Sequence, residues 1–298
     1  MFTEPLLSYG ALGVVVIIWL GLCVGSFLNV VIYRMPVILE RQWTTQAKAH
    51  LADDDEAAMA IAEADASAEP FNLMVPRSRC PGCSAQIKSW QNIPVISWLW
   101  LRGKCGNCQT PISARYPGVE LLTAVMSVVA VATFGFTVTG AAALLFTWIL
   151  IAATFIDFDT QLLPDQLTLP LLWLGLLFNL GVWVWSGFVS LPDAVIGAIA
   201  GYLFLWSTFW AFKLATGKEG MGYGDFKLLG AVGAWLGWQV LPATILIASI
   251  AGLVYAVFGI VRNNKHVSQP IAFGPFLAVG GWVCLIFRDN VLGLLGGQ

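Results

Sequence analysis

Charge is what this sequence has least of. Only 11% of its 298 residues are Asp, Glu, Lys or Arg, against about 25% in a soluble domain. A soluble globule could not cover its surface with so few. Histidine is almost missing as well. There are two, His50 and His266, and neither lies near a Ser or Cys motif, so a Ser-His-Asp triad has no base. No G-x-x-x-x-G-K-[ST] or G-x-G-x-x-G stretch occurs, which excludes the usual phosphate and dinucleotide fingerprints. The net charge is −2 and the pI about 5.6. That leaves no basic footprint, so no nucleic-acid partner is expected. Disordered, collagen-like and disulfide-rich secreted chains each need a different composition.

What the chain has instead is long uncharged runs. Hydrophobic residues make up 58% of it, and the mean hydropathy is +0.78. A spanning helix needs about 20 mostly apolar residues. Residues 5–33 give one span. The uncharged run 121–156 breaks near Gly135–Gly140 and reads as two. Residues 166–192 and 194–212 give two more. The run 228–261, with Pro242 in its middle, reads as two, the first short and Gly-rich at about 226–241. Residues 266–287 give the last. The expected fold is therefore an all-α polytopic membrane protein of about eight transmembrane helices. The first span lacks a basic leader and is too long for a typical signal peptide core, so it reads as a retained helix. Gly21 with Gly25, and Gly197 with Gly201, fit small-xxx-small helix contacts.

The charges sit mainly in one excursion. Residues 33–116 hold 17 of the 32 charged side chains. Nine of the 15 Lys and Arg are there, Lys213, Lys218 and Lys227 lie around a second loop, and Arg262 and Lys265 lie in a third. With eight spans every one of these basic loops falls on one side, and the positive-inside rule makes that side the cytoplasm. Arg288 is the exception. Seven spans would put the loop at 262–265 outside, which favours keeping the short span.

Four of the six cysteines form Cys80-Pro-Gly-Cys83 and Cys105-Gly-Asn-Cys108. Each C-x2-C turn presents two thiolates from one tight knuckle, and a tetrahedral zinc ion needs four such soft ligands. Two disulfides are the alternative, but they conflict with a reducing cytoplasm. Four Cys ligands leave no position open for water, so the zinc should be structural. Cys23 and Cys284, in apolar spans, read as small buried hydrophobes. The Ala-rich acidic stretch at 46–69, with Asp53-Asp54-Asp55-Glu56, lacks the ligand spacing and Gly of a calcium loop. It reads as a solvated helix or a flexible segment.

Carboxylates beside membrane spans are costly and usually functional. Asp157, Asp159 and Asp165 lie where the third span ends and the fourth begins. Asp225 follows Gly222-Tyr223-Gly224. By the charge count both places lie at the cytoplasmic face. Two carboxylates sharing one proton can run aspartyl-protease chemistry without a metal or a nucleophilic side chain. Helix geometry puts residues two apart about 200° from each other, so only one of Asp157 and Asp159 can face a site, and spacing alone leaves both open. Asp165 and Asp193, each after a proline, read as helix-capping residues. A transporter with proton-relay carboxylates is the alternative function, although it would favour acids at mid-span.

These residues resemble a family. Gly25-Ser-Phe-Leu-Asn29-Val-Val-Ile-Tyr-Arg34-Met-Pro36, the paired C-x2-C motifs, Ser113-Ala-Arg115-Tyr-Pro117-Gly-Val-Glu120, Phe155-Ile-Asp157 with Leu163-Pro164-Asp165, and Gly220-Met-Gly-Tyr-Gly-Asp225-Phe-Lys227 are similar to the bifunctional type IV prepilin leader peptidase/N-methyltransferases. The acidic stretch near 50–69 departs from the family's pattern. The resemblance implies that Asp157 and Asp225 are the catalytic pair. It implies cleavage of the basic leader of type IV prepilins and type II secretion pseudopilins, then N-methylation of the new N-terminal residue with S-adenosylmethionine. The enzyme would be a multi-pass protein of the bacterial inner membrane, in contact with membrane lipid, with its catalytic site facing the cytoplasm. Asn29, Arg34 and Glu120, at the mouths of the first two spans, could shape a site for that cofactor or could anchor helices at the interface. The expected organisation is a first transmembrane helix at 1–33, a small cytoplasmic zinc-binding and methyltransferase-associated region at 34–116, and a transmembrane aspartyl peptidase domain at 117–298.

Overall fold

The computed structural model describes residues 10–52, 56, 57, 59, 70–181, 187–263, 272–294 and 296. Most of the acidic stretch, the end of the 262–265 loop and the first residues of the first span lie outside these. Among the described residues there are helices and two isolated β-bridges but no strand. The helices are α1 (Gly10–His50), α2 (Ile96–Trp100), α3 (Arg115–Phe134), α4 (Val138–Thr160), α5 (Asp165–Asn179), α6 (Leu191–Thr216), α7 (Tyr223–Leu236), α8 (Leu241–Asn263), α9 (Gly274–Ile286) and α10 (Arg288–Leu294).

The fold is all-α, but the eight expected spans are not all long enough to cross a bilayer alone. Among the described residues five helices are: α1, α3, α4, α6 and the stretch Trp238–Gly259. The bent pair α9 and α10 makes a sixth if counted as one span. Every other expected span has a helix, yet α5 has 15 residues and α7 has 14. At 1.5 Å per residue, α7 reaches only about 21 Å. An uncharged run sets how long a helix can be. It does not say where a glycine will end it, as Gly237 ends α7 at φ +83°. Conversely, α1 runs 41 residues, well past its expected end at residue 33. Its polar second half carries Arg34, Glu40, Arg41 and Lys48, all compatible with continued helix.

The chain divides into two compact units, residues 1–21 with 124–298 and residues 22–123. In the first, α7 is the centre. Almost every side chain from Asp225 to Leu236 is buried, as expected of a helix apolar all round. Gly197 of α6 meets the Gly233 backbone of α7, and a Cβ on Gly201 would lie 2.6 Å from the Leu229 carbonyl. These small residues therefore let the two backbones approach, as their spacing suggested. The Trp235 ring, 1% exposed, donates from Nε1 to the Leu171 carbonyl at 2.7 Å and stacks on Phe178. The buried Asn179 amide donates to the Ala234 and Trp235 carbonyls, both at 2.9 Å. It thereby satisfies two of the carbonyls that the end of α7 leaves without partners. A rigid, buried α7 fixes the position of its first turn, which carries Asp225.

In the second unit, residues of α1 and α3 pack closely: a Cβ on Gly25 would lie 2.6 Å from the Glu120 Cα. Among the described residues, the rest of this unit is α2, a 3-10 turn at Ser89–Asn92 and irregular chain around the four cysteines.

Candidate active site and metal centre

Asp225 is the third residue after the N-cap of α7. Gly222 is that N-cap, with φ −79° and ψ 147°. The Asp225 amide donates to the Gly222 carbonyl at 3.3 Å, and the Asp225 carboxylate lies beside that N-cap, its Oδ2 3.9 Å from where a Cβ on Gly222 would stand. The acid therefore sits at the positive end of its own helix. Gly224 is needed for a different reason. A Cβ there would lie 2.5 Å from the Leu163 Cβ, so only glycine lets this turn sit on Leu163.

Asp157 comes from the last turns of α4 and is 5% exposed, while Asp225 is 6% exposed. Asp159 is exposed, so of the two only Asp157 is buried in the packed interior. The two buried carboxylates interact electrostatically. Gly274, the first residue of α9, lies against the Asp157 carboxylate. Asp157 Oδ2 is buried without a hydrogen-bond partner. Such an oxygen is expensive to maintain, and sites of this kind are often reactive.

The neighbouring acids do other work. Asp165 is not an N-cap: Pro164 holds that position, and the Asp165 carboxylate pairs with Lys227 Nζ at 2.6 Å. Asp193 accepts from Ser190 Oγ at 2.6 Å while its own amide donates to Ser190 Oγ at 3.3 Å. Ser190 is thus the cap of α6, with Asp193 its reciprocal partner. Trp238 Nε1 and Gln239 Nε2 donate to the other Asp193 oxygen.

The four cysteines form two copies of one knuckle, 25 residues apart. Cys80 N–H donates to the Ala85 carbonyl and Ser84 N–H to the Cys80 carbonyl; Cys105 N–H donates to Thr110 and Gln109 N–H to Cys105 in the same pattern. Ser84 and Gln109 both take positive φ, at 55° and 61°. Each knuckle is closed by an antiparallel bridge, Arg79 to Gln86 and Lys104 to Pro111. All four sulfurs lie within 4.8 Å of one another, and Cys80 Sγ is 3.7 Å from Cys108 Sγ. A tetrahedron with metal–sulfur bonds of about 2.3 Å has edges of about 3.8 Å. The donor set therefore fits one tetrahedral ion with no open position. The Thr110 hydroxyl, 3.1 Å from Cys108 Sγ, favours the thiolate and brings that thiol down to about 6.

The same unit encloses a cavity of about 600 Å³, in the size range of cofactor sites. Asn29, Arg34 and Glu120 all line it, along with Trp98, Cys80 and Cys105. Asn29 Nδ2 donates to the Tyr116 carbonyl at 3.0 Å. Arg34, 7% exposed, donates from Nη1 to the Asn72 carbonyl and from Nη2 to the Pro76 carbonyl, at 2.8 and 2.6 Å. Glu120 Oε2 accepts from the Val95 amide at 2.7 Å, and Ser26 bonds to the same carboxylate. Val95 has φ 58°, rare for a β-branched residue. The Glu120 carboxylate thus holds a strained turn in the cavity wall. All three residues anchor backbone, and all three also face the space.

Residues 19–134 match the Bacterial Peptidase A24 N-terminal domain, and residues 144–257 match the Type IV leader peptidase family. The prepilin leader peptidase/N-methyltransferase of Aeromonas hydrophila is 57% identical over 271 residues, which cover 91% of this chain and 89% of that one. The Neisseria gonorrhoeae protein of that name is 51% identical, covering 91% and 90%. The Pseudomonas aeruginosa one is 49% identical over 96% of each chain. The chain belongs to the type IV leader peptidase family. No solved structure matches it. The transporter alternative gains no support from these relatives.

Within the family frame, two features of the site were not read from the sequence. Leu163 lies against both Gly224 and Gly274, and Gly274 approaches Asp157. Phe273-Gly274-Pro275 does carry a signal, since proline in the first turn marks a helix start. It was hidden inside an uncharged run read as one span from residue 266.

Proposed function

We infer that this chain cleaves the leader from type IV prepilins and N-methylates the exposed N-terminal residue, with Asp157 and Asp225 as the catalytic dyad. The observation that carries the dyad is the pair of buried, interacting carboxylates, one with an oxygen free of any hydrogen-bond partner. Two adjacent negative charges are unfavourable in such a place, so the working pair holds one proton. The ionised carboxylate takes a proton from water, whose oxygen attacks the scissile carbonyl carbon. The protonated partner donates to the carbonyl oxygen. Collapse of the tetrahedral species breaks the C–N bond, and the amine leaves with the proton held by the first carboxylate. Pseudopilins of type II secretion share this chemistry and are included as substrates.

The cavity of the second unit is the proposed S-adenosylmethionine site. That cofactor supplies an electrophilic methyl group on a sulfonium. The Arg34 guanidinium suits the cofactor's carboxylate, and the Glu120 carboxylate suits the new amino group of the pilin. Zinc on Cys80, Cys83, Cys105 and Cys108 would hold the wall that Cys80 and Cys105 share with the cavity. The basic loops support a multi-pass inner-membrane protein with the dyad at the cytoplasmic face, where a pilin's apolar helix can align among lipid-exposed helices. A prepilin assay in lipid tests the dyad. Asp157→Asn and Asp225→Asn should each abolish cleavage and leave methylation of pre-cleaved pilin intact, with Asp159→Asn mild. Near-normal cleavage by either dyad variant would reject the assignment.

A further inference from the structure

Asp157 lies on the last turns of α4, where its own helix presents carbonyls rather than amides. Its polar surroundings come from elsewhere. Gly274, the first residue of α9, lies against the carboxylate, and α9 directs the positive end of its dipole there. Pro275, next in sequence, contributes no amide of its own. Oδ2 is left without a partner in a side chain that is 5% exposed. The ideal Cβ position on Gly274 lies 2.6 Å from that Oδ2 and 3.3 Å from Cγ. A second neighbour, Leu163 Cδ1, lies 2.7 Å from the same position.

We propose that Gly274 is a positioning residue for peptide cleavage: its missing side chain lets the Asp157 carboxylate keep its place with Oδ2 unpaired. Any side chain at 274 must either push the carboxylate aside or lie over the oxygen that handles the proton. Gly274 touches no substrate atom and acts only through Asp157. The claim rests on the dyad reading above. It goes beyond that reading by assigning the geometry of the dyad to α9, a helix that carries neither acid.

The two contacts at Gly274 separate function from packing. Leu163→Ala removes Cδ1 and makes room for a methyl group, but it leaves the overlap with Asp157 untouched. Prepilin cleavage and methylation of pre-cleaved pilin are measured in lipid for Leu163→Ala, Gly274→Ala, the double variant and Asp157→Asn. A displacement of about 1 Å in a reacting group can cost about 100-fold. Gly274→Ala should therefore lower kcat for cleavage by about 100-fold with KM within about threefold, and should leave methylation unchanged. In the Leu163→Ala background, Gly274→Ala should still cost about 100-fold in kcat. Cleavage by the double variant within about fivefold of Leu163→Ala would show a packing role and overturn the proposal, as would near-normal kcat in Gly274→Ala. Active Asp157→Asn would instead overturn the dyad itself.

Discussion

Gly224→Ala probes how closely the peptidase backbone is fitted. The new methyl carbon would lie 2.5 Å from Leu163 Cβ, 3.3 Å from its carbonyl oxygen and 3.4 Å from Cδ1. Carbon atoms pack best at about 3.5–4.0 Å, so one partner must move by about 1 Å. Leu163 cannot yield by rotating, because the conflict is with its Cβ. Overpacking of this kind costs about 1–3 kcal/mol. Alanine returns up to about 1 kcal/mol, since it favours helix over glycine. Net destabilisation is thus modest, and α7 should persist. Activity should suffer more. Asp225 is the next residue, and a 1 Å displacement there should slow cleavage about 100-fold. Gly222→Ala is the control in the same motif. Its Cβ would meet only Asp225 Oδ2 at 3.9 Å, an ordinary contact, and losing a glycine N-cap costs at most about 1 kcal/mol. That variant should cleave within about fivefold of wild type. The assay is prepilin cleavage in lipid at matched enzyme amounts, with thermal unfolding alongside. Wild-type turnover in Gly224→Ala, or a larger loss in Gly222→Ala, would refute the reasoning.

Two further outcomes concern the second unit. Purified protein should hold about one zinc per chain, and Cys108→Ser should release it and lower methylation more than cleavage, read by metal analysis and both assays; a metal-free wild type with full methylation would contradict this. Glu120→Gln keeps an acceptor for the Val95 amide but removes the charge, so methylation should fall about tenfold or more with folding unchanged, and unaltered methylation would leave Glu120 an anchor only.

The broad architecture was legible because membrane composition is a strong constraint. Uncharged runs, basic loops and paired C-x2-C turns each follow from one dominant cost: burying charge in lipid, or assembling four thiolates. The helix lengths were less legible. The end of α7 depends on Gly237, and the extension of α1 on a polar segment whose helicity no apolar run reports. The choice between Asp157 and Asp159 was invisible to spacing, because i and i+2 are equally good candidates until a neighbouring element covers one of them. Family resemblance named Asp157, and of the two it is the buried one. The roles of Arg34 and Glu120 were half legible. Their polarity at a helix mouth was plain, but their backbone partners, Asn72, Pro76 and Val95, lie in irregular chain that no periodicity describes.

In the proposed dyad the acids and the glycines depend on one another. A carboxylate in an apolar environment must be stabilised, yet a catalytic one must not be fully satisfied. Backbone amides at helix starts meet both demands, because they supply dipole and hydrogen bond without adding side-chain atoms. Asp225 lies beside Gly222 at the head of its own helix, and Asp157 lies against Gly274 at the head of another. Leu163 sits against the glycines of both segments, so one side chain gauges the spacing of the two helix starts. Enlarging Gly224 presses on Leu163 Cβ, whereas enlarging Gly274 presses on the Asp157 carboxylate itself. The geometry of the proposed dyad therefore depends on the absence of side chains at residues 224 and 274 as much as on the carboxylates at 157 and 225.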